Sequence, residues 1–485
     1  GSSHQSSLPS AALLPALLRS SRMSVEWQQA FDQHISDIPG LGSDVKKNAD
    51  RLRKLLTDGP LKLTDLHEAP EKFFMAHRLM SKWATKVGPG FGIRMTVQFN
   101  LFAGTILELG NPEQVAKLDD IQRQGLLGAF CLTERLAGVN SGLVVNTTCE
   151  WDEGRQMFLL NCPDEGSKKN WISQGLTADL AVVVANLFVK GKSYGPHAFF
   201  MELRRNGELV AGVSMEDMGD KTIGNDLDNA RICFTKVWLP ANSLLDRHAG
   251  LVGNEYVQHS EGIKNMDMIG QRLYTGRTVI ADSTLVFARS LYKGAQEYAD
   301  NKRCWHPKGG IALSDIPQLS HLYEEADREL KRVEALREVV TSRLCECLRS
   351  RKLPDEDLCT QVAVFKVKAI ETSISLCFKL KQELGSYALM GGTGFEKMDY
   401  LQCCKFAEGD SRILMQKLAR DRLQAFSKKP EGTESEAQVC THLGSAMMKG
   451  GGKAWNENWK QVYGLADLII ERVVTEASSA SAARL

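Results

Sequence analysis

Along residues 24 to about 128 the apolar positions recur at helical spacing. SVEWQQAFDQHI, DVKKNADRLRKLLTD and TDLHEAPEKFFMAHRLMSKWAT each repeat apolar side chains three and four residues apart, with Pro and Gly between the segments. From about 129 to 245 the period changes to that of strands: FCLTE, VVNTTCEW, QMFLLNC, DLAVVVANLFVK, HAFFMELR, ELVAGVSM and RICFTKVWLP are short, rich in β-formers and divided by turn residues such as Asn206-Gly207. From about 260 long helical patterns return, in QRLYTGRTVIADSTLVFARSLYKGAQEYADNKR, QLSHLYEEADRELKRVEALREVVTSRLCECLRS and DLCTQVAVFKVKAIETSISLCFKLKQELGSYALM. Continuous apolar faces of that length predict a bundle. The expected class is mainly α with a central β domain (α+β). Residues 1–23 are a disordered leader, 24–128 an N-terminal helical domain, 129–250 a middle antiparallel β-barrel-like domain, 251–425 a C-terminal four-helix bundle, and 426–485 a linker with a helical extension. Within that last part, 427–453, with KKPEGTESE and KGGGK, reads as a linker or mobile loop.

Composition narrows the function classes. A chain of 485 residues exceeds one ordinary core and fits two or three domains folded together. Its 60 basic residues nearly cancel its 59 acidic ones, so the charge gives no reason to expect nucleic acid as a partner. The 12 cysteines include no CxxC pair, only CEC at Cys345 and Cys347 and the adjacent Cys403 and Cys404, which points to a reduced interior without a disulfide framework or metal site. The apolar run LAVVVANLFV, 180 to 189, is shorter than the roughly 20 residues of a spanning helix and is rich in β-branched residues, so it predicts a buried strand and no membrane span. There is no GxGxxG after a first strand and no HExxH, and KGGGKA at 449 to 454 lacks the Ser or Thr of a phosphate loop.

The two ends carry competing addresses. Residues 1 to 22 hold seven serines, two arginines, no acid and the apolar piece AALLPALL, the composition of a mitochondrial or plastid transit peptide; a non-native leader before Met23 is the other reading. The last residues, Ala483-Arg484-Leu485, are a relaxed form of the peroxisomal S-K-L tripeptide and follow a small, polar tail. The C-terminal signal is taken as the address, and the peroxisome as the expected location.

Seven stretches in order carry a family resemblance: QFNLFAGTILELGNPEQ (98–114), CLTERLAG (131–138), KNWISQG (169–175), YGPHAFFMELR (194–204), IGNDLDNARICFTKVWLPANSLLDR (223–247), GGTGF (391–395) and AEGDSRI (407–413). Over roughly residues 60 to 425 the chain resembles the acyl-CoA dehydrogenase and acyl-CoA oxidase superfamily. The NLF/LG pair, GPHAF and the DN-x-RI-x-F-x-x-V-x-x-P stretch look more like the oxidase branch.

The resemblance implies FAD as cofactor and a fatty acyl-CoA as substrate, and places the base that removes the α-proton at Glu408, in the EG pair. Such a base needs a carboxylate held close and partly desolvated, and the main chain of Glu408 and Gly409 would bind the thioester carbonyl. The flavin would lie along Phe130, Leu132 and Thr133, with Gly138 nearby, Trp171 over one face and the Ser173 hydroxyl toward N5. Lys302, Arg303 and Trp305 match a segment that reaches the FAD of a neighbouring subunit, Gly391 and Gly392 would pass the adenosine half, and Asp410 fits the oxidase pattern after EG. Contacts of that kind make the protein a homodimer or homotetramer. In relatives that carry the base on the first long bundle helix, the matching position is read here as Gln271, which takes no proton.

There are departures. Val139 stands where the family has serine, with Asn140 next; Trp305-His306 replace phenylalanine-glycine; twelve residues separate GGTGF from EG, fewer than usual; and Arg412 brings a charge after EG. The expected function is α,β-dehydrogenation of an acyl-CoA to the trans-2-enoyl-CoA with O2 as acceptor. The alternatives are a dehydrogenase passing electrons to an electron-transfer flavoprotein, and a non-catalytic scaffold that keeps the fold.

Overall fold

The computed structural model describes residues 24–138, 141–307 and 309–483. The leader before Ser24, the Val139-Asn140 departure and the terminal Arg484-Leu485 lie outside the described residues, and with them both expected targeting signals.

The N-terminal helices begin where side chains can take up free backbone donors. Ser24 accepts from Trp27 N at the start of Val25–His34 (α1), and Asp44 accepts from Lys47 N at the start of Val45–Asp58 (α2). Pro70–Ser81 (α3) follows. The next helix, α4, runs Gly90–Met95, widens into a π-helix over Thr96–Phe102 and returns to α over Ala103–Leu109. Asn111 and Gln114 then form a reciprocal capping box on Pro112–Gln124 (α5). A π-segment of this kind re-aims side chains within a helix. Here Phe102 is turned over Gly128, where any Cβ would overlap its ring, so the first strand is pressed directly onto α4.

The middle domain curls around Leu180–Val189 (β5), whose ten residues are nearly all buried, as the apolar run predicts. Gly128–Cys131 (β1) and Thr148–Asp152 (β2) pair with successive parts of β5, and Lys192–Glu202 (β6) pairs with it antiparallel. Met157–Asn161 (β3) and Val237–Pro240 (β9) extend the sheet beyond β2. A second sheet has Lys169–Ser173 (β4) and Val213–Asp217 (β7) on either side of Asn229–Phe234 (β8). The antiparallel expectation therefore holds for most ladders, while β1 and β2 run parallel to β5. Chain segments between them cross over instead of turning back as hairpins.

The bundle consists of Asn265–Asn301 (α6), Pro317–Ser350 (α7), Glu356–Leu384 (α8), the short Asp399–Phe406 (α9) and Ser411–Lys428 (α10). α8 packs against α6, α7 and α10. The 427–453 segment is not a loop. Only residues 429 to 433 separate α10 from Glu434–Glu457 (α11), which Thr433 caps, and Trp459–Ala482 (α12) follows. The glycines that suggested a linker produce one kink, at Gly451, with φ 55°. Tertiary contacts hold the helix in place: the buried Glu436 carboxylate accepts from Arg422 Nε and Arg472 Nε, both at 2.6 Å, and joins α10, α11 and α12. α12 buries Leu465, Ile469, Ile470 and Val474, largely against α7 and α10. No described helix is long and apolar enough to cross a membrane.

Replacing Glu436 with Ala leaves two guanidinium groups without their partner and should lower stability by about 1–3 kcal/mol. Thermal denaturation measures this, and limited proteolysis should then cut first in α11. An unchanged melting temperature would show that apolar packing alone seats α11 and α12.

Candidate active site

Glu408 lies in the short connection between α9 and α10, and its backbone is unusual. Its φ is +57° and that of Gly409 is +97°, so two successive residues in the left-handed region turn the chain from one helix to the next. The conformation costs a non-glycine residue about 1 kcal/mol and persists only where the surroundings impose it. Two cations do so, one buried and one half-buried. Lys366, on α8, is fully buried and its ammonium donates to the carbonyls of Lys405 (3.3 Å), Ala407 (2.7 Å) and Gly409. Arg277, on α6, donates from Nε to the Glu408 carbonyl at 2.8 Å and lies over the Tyr274 ring.

The same geometry buries the carboxylate. Glu408 reaches across to α6 and rests on Gly276, where even a methyl group would overlap its carboxyl carbon. Its Oε2 is out of solvent with no hydrogen-bond partner. Burial pushes the carboxyl up to about 7, against the pull of Arg277 and Lys366, and burial pushes Lys366 down to about 8. The result is a carboxylate poised near neutrality with one uncommitted oxygen, the state a proton-abstracting base requires.

The position on α6 that faces Glu408 is thus Gly276, and the Gln271 assignment is corrected. Gln271 points elsewhere: its amide donates to Lys352 O at 2.8 Å and its oxygen accepts from Arg272. Five helical positions amount to about 140° of rotation, enough to put the two residues on different faces.

A shelf forms on the β domain. Phe130, at the end of β1, and Leu132 are buried beneath it; Thr133 is exposed, and its carbonyl accepts from Asn170 N at 2.8 Å. Trp171 leaves 55 % of its surface open and has φ +58°. Ser173 Oγ accepts from Asn229 Nδ2 at 3.1 Å, which leaves the hydroxyl proton free to point outward. Below the shelf, Lys169 is wholly buried and donates to Glu134 Oε1 (2.9 Å), Leu132 O (3.2 Å) and Val184 O (2.7 Å), while Glu134 also accepts from Asn146 N and Thr147 N. Both residues sit inside quoted motifs, CLTE and KNW, and their role was missed.

The remaining expected ligands are exposed or otherwise engaged. Gly138 is exposed in a turn, donating to Ser141 Oγ at 3.0 Å. Lys302, Arg303 and Trp305 follow the far end of α6, all exposed, with Trp305 85 % open. Twenty-five helical positions from Gly276 to Asn301 amount to about 38 Å, too far to serve the Glu408 site of the same chain. Gly391 and Gly392 are exposed near that same end, where Tyr298 on α6 stacks on Tyr387 at 3.6 Å between ring centroids. Asp410 is engaged as the N-cap of α10, accepting from Arg412 N at 2.7 Å, and the Arg412 charge is at the surface. Gly276, Arg277 and Lys366 were missed as well. The one signal for them was Lys366 itself, a lysine inside the apolar run VAVFKV.

A carboxyl whose folded value is raised from 4.5 to about 7 favours the folded state least when ionised. Both folded and unfolded chains are protonated below about 4.5; above 7 both are ionised, and the buried charge is a full liability. Glu408→Gln should therefore raise the melting temperature by about 2 °C or more at pH 8 and leave it unchanged at pH 4.5. Equal shifts at both pH values would contradict the buried, elevated carboxyl.

No family model matches the chain. Among curated proteins it is 27 % identical over 387 residues to an acyl-coenzyme A oxidase-like protein of Mus musculus, covering 75 % of this chain and 59 % of that one. It is 25 % identical over 412 residues to an acyl-coenzyme A oxidase of Saccharomyces cerevisiae, covering 78 % and 54 %. The chain thus spans about half the length of the curated relatives it matches. Among solved structures, acyl-CoA oxidase 1 of Yarrowia lipolytica superimposes with a TM-score of 0.74 at 18 % identity, over 96 % of this chain and 75 % of that one. Butyryl-CoA dehydrogenase of Megasphaera elsdenii gives 0.62 at 19 % identity, over 81 % and 97 %. Motif order, sequence relatives and fold agree in likening the chain to the acyl-CoA oxidases and acyl-CoA dehydrogenases.

Proposed function

We propose that this protein is an FAD-dependent acyl-CoA oxidase that converts an acyl-CoA to the trans-2-enoyl-CoA, with Glu408 as the base. The observation that carries the reading is the Glu408 carboxylate: desolvated, fixed on Gly276 by a backbone that Lys366 and Arg277 hold, with Oε2 unpartnered. Solved neighbours of the same fold include an acyl-CoA oxidase complexed with FAD and ATP from Caenorhabditis elegans. The β-domain shelf fits a flat, mostly apolar ring system, because it offers an uncovered indole beside one hydroxyl on a floor of buried apolar side chains. FAD supplies the hydride acceptor when bound. Thr133 and Ser173 would hold its polar edge and Trp171 one face, with Phe130 and Leu132 supporting them from below.

The chain's own part in the reaction is proton removal. Ionised Glu408 takes the α-proton on Oε2, and the charge of the neighbouring Arg277 and Lys366 keeps a useful fraction ionised at neutral pH. The main-chain N–H groups of Glu408 and Gly409 are the donors assigned to the thioester oxygen, which concentrates negative charge as the proton leaves. Lys302, Arg303 and Trp305, remote from their own Glu408, are assigned to the cofactor of a second copy, so the active form is at least a dimer. A peroxisomal location rests on the peroxisomal relative from Arabidopsis thaliana.

Anaerobic titration of the yellow holoprotein with acyl-CoAs should bleach the flavin band near 450 nm, and air should restore it rapidly with formation of H2O2. Glu408→Gln should slow bleaching by at least about 100-fold. The wild-type rate should rise with pH through about 7 and then level, and Lys366→Met, by removing a cation, should move that limb to higher pH. Bleaching that persists in air identifies a dehydrogenase passing electrons to a flavoprotein. A purified protein without flavin identifies the scaffold.

A further inference from the structure

The β-domain shelf is held in shape by one buried side chain that the reaction proposed above does not use. Asn229, the first residue of β8, lies directly across from Ser173, the last of β4, and is only 6 % exposed. Its Nδ2 donates to Ser173 Oγ at 3.1 Å and to Trp171 O at 3.5 Å. The second contact fixes the first. A carbonyl oxygen only accepts, so the nitrogen end of the amide faces this side, and Ser173 Oγ must accept from it. The single hydroxyl proton is then committed outward, to the surface of the shelf.

The same amide grips the tryptophan. Trp171 N donates to Met218 Sδ at 3.2 Å, Met218 N donates to Asn229 O at 3.0 Å, and Asn229 Nδ2 closes the ring on Trp171 O. Inside that ring Trp171 keeps its φ of +58°. Gln174, on the other side of Ser173, has φ +62°, and its N–H donates to Asp228 O at 3.0 Å. Two non-glycine residues in the left-handed region on either side of one serine persist only where the surroundings impose them. Asp228 supplies that constraint from the helical domain: its carboxylate accepts from the wholly buried Arg94 on α4 at 2.8 Å and from Leu176 N at 2.7 Å.

Resting on the FAD reading above, we propose that Asn229 is the positioning residue of the shelf: it turns the Ser173 proton outward as a donor to the polar edge of the ring and fixes the backbone that presents Trp171. Its amide nitrogen is engaged by these two partners, so it acts through them.

The test is a double-substitution cycle with two readings. Binding of FAD to apoprotein, followed by calorimetry, should weaken about five- to tenfold in Asn229→Leu, which is close in shape but has no donor, and by less than about threefold when the same substitution is made in a Ser173→Ala background. In the holoproteins, flavin bleaching at saturating acyl-CoA should slow about tenfold in Asn229→Leu, while the acyl-CoA concentration giving half the maximal rate stays within about twofold of wild type. Asn229→Asp, whose ionised carboxylate accepts the hydroxyl proton, should slow bleaching at least as much, and it carries the test if the leucine variant does not fold. Equal losses with and without the Ser173 hydroxyl would show that Asn229 only props the strand and would overturn the inference. Wild-type FAD affinity and bleaching rate in Asn229→Leu would overturn it too, and in both cases the FAD reading stands. A wild-type apoprotein that takes up no FAD would overturn both.

Discussion

The ammonium of Lys366 is the constraint on which the rest of the site depends. A buried lysine needs three acceptors to offset its lost hydration, and here they are three carbonyls within five residues of chain: Lys405, Ala407 and Gly409. Satisfying one cation thus fixes the path of the backbone on both sides of Glu408. That path forces the left-handed φ, the φ carries the carboxylate onto α6, and α6 accepts it because position 276 has no side chain. Removing any one of these would leave a charge buried without a reason for its position.

The opposite side of the site uses the same device. Lys169 donates to two carbonyls and to Glu134 beneath the β-domain shelf, so the strand ends bearing Thr133 and Trp171 are joined from below. The Glu408 carboxylate and the β-domain shelf come from elements more than 230 positions apart in the chain, and rigid elements must carry both for their separation to be reproducible. Buried cations bonded to main-chain carbonyls provide that rigidity without relying on side-chain packing alone, and they place positive charge near groups that must bear negative charge. Elsewhere the hydroxyls of Ser81 and Ser283 and the His77–Thr96 pair tie α3, α4 and α6 together through satisfied buried hydrogen bonds.

Legibility in the sequence followed interaction range. Helical spacing located α1 to α3 and the long bundle helices, and the run at 180–189 marked β5, because period and burial are local properties. The 427–453 segment misled because its glycines and charges resemble a linker when read alone; what makes it helical is Glu436 meeting Arg422 and Arg472, the latter 36 positions away. Asp410 was singled out only through the resemblance, as an acid fitting the oxidase pattern after EG, and its geometric role proved to be a helix cap. Gln271 was read as the facing position, and Gly276 missed, because register on a long helix is invisible until its neighbours fix its rotation.

By itself, the sequence determined the order of helical, β and helical domains, the near-neutral charge balance, and, through seven motifs in register, a family resemblance and the carboxylate to examine first. Tertiary structure alone decided that this carboxylate is desolvated, that its oxygen is left unpartnered, and that Lys302, Arg303 and Trp305 belong to a place remote from it. The reason is physical. Propensity and periodicity act over a few residues, whereas burial and the elevation of a carboxyl toward neutrality arise from contacts between α6, α8 and the α9–α10 connection, which no local stretch of chain contains.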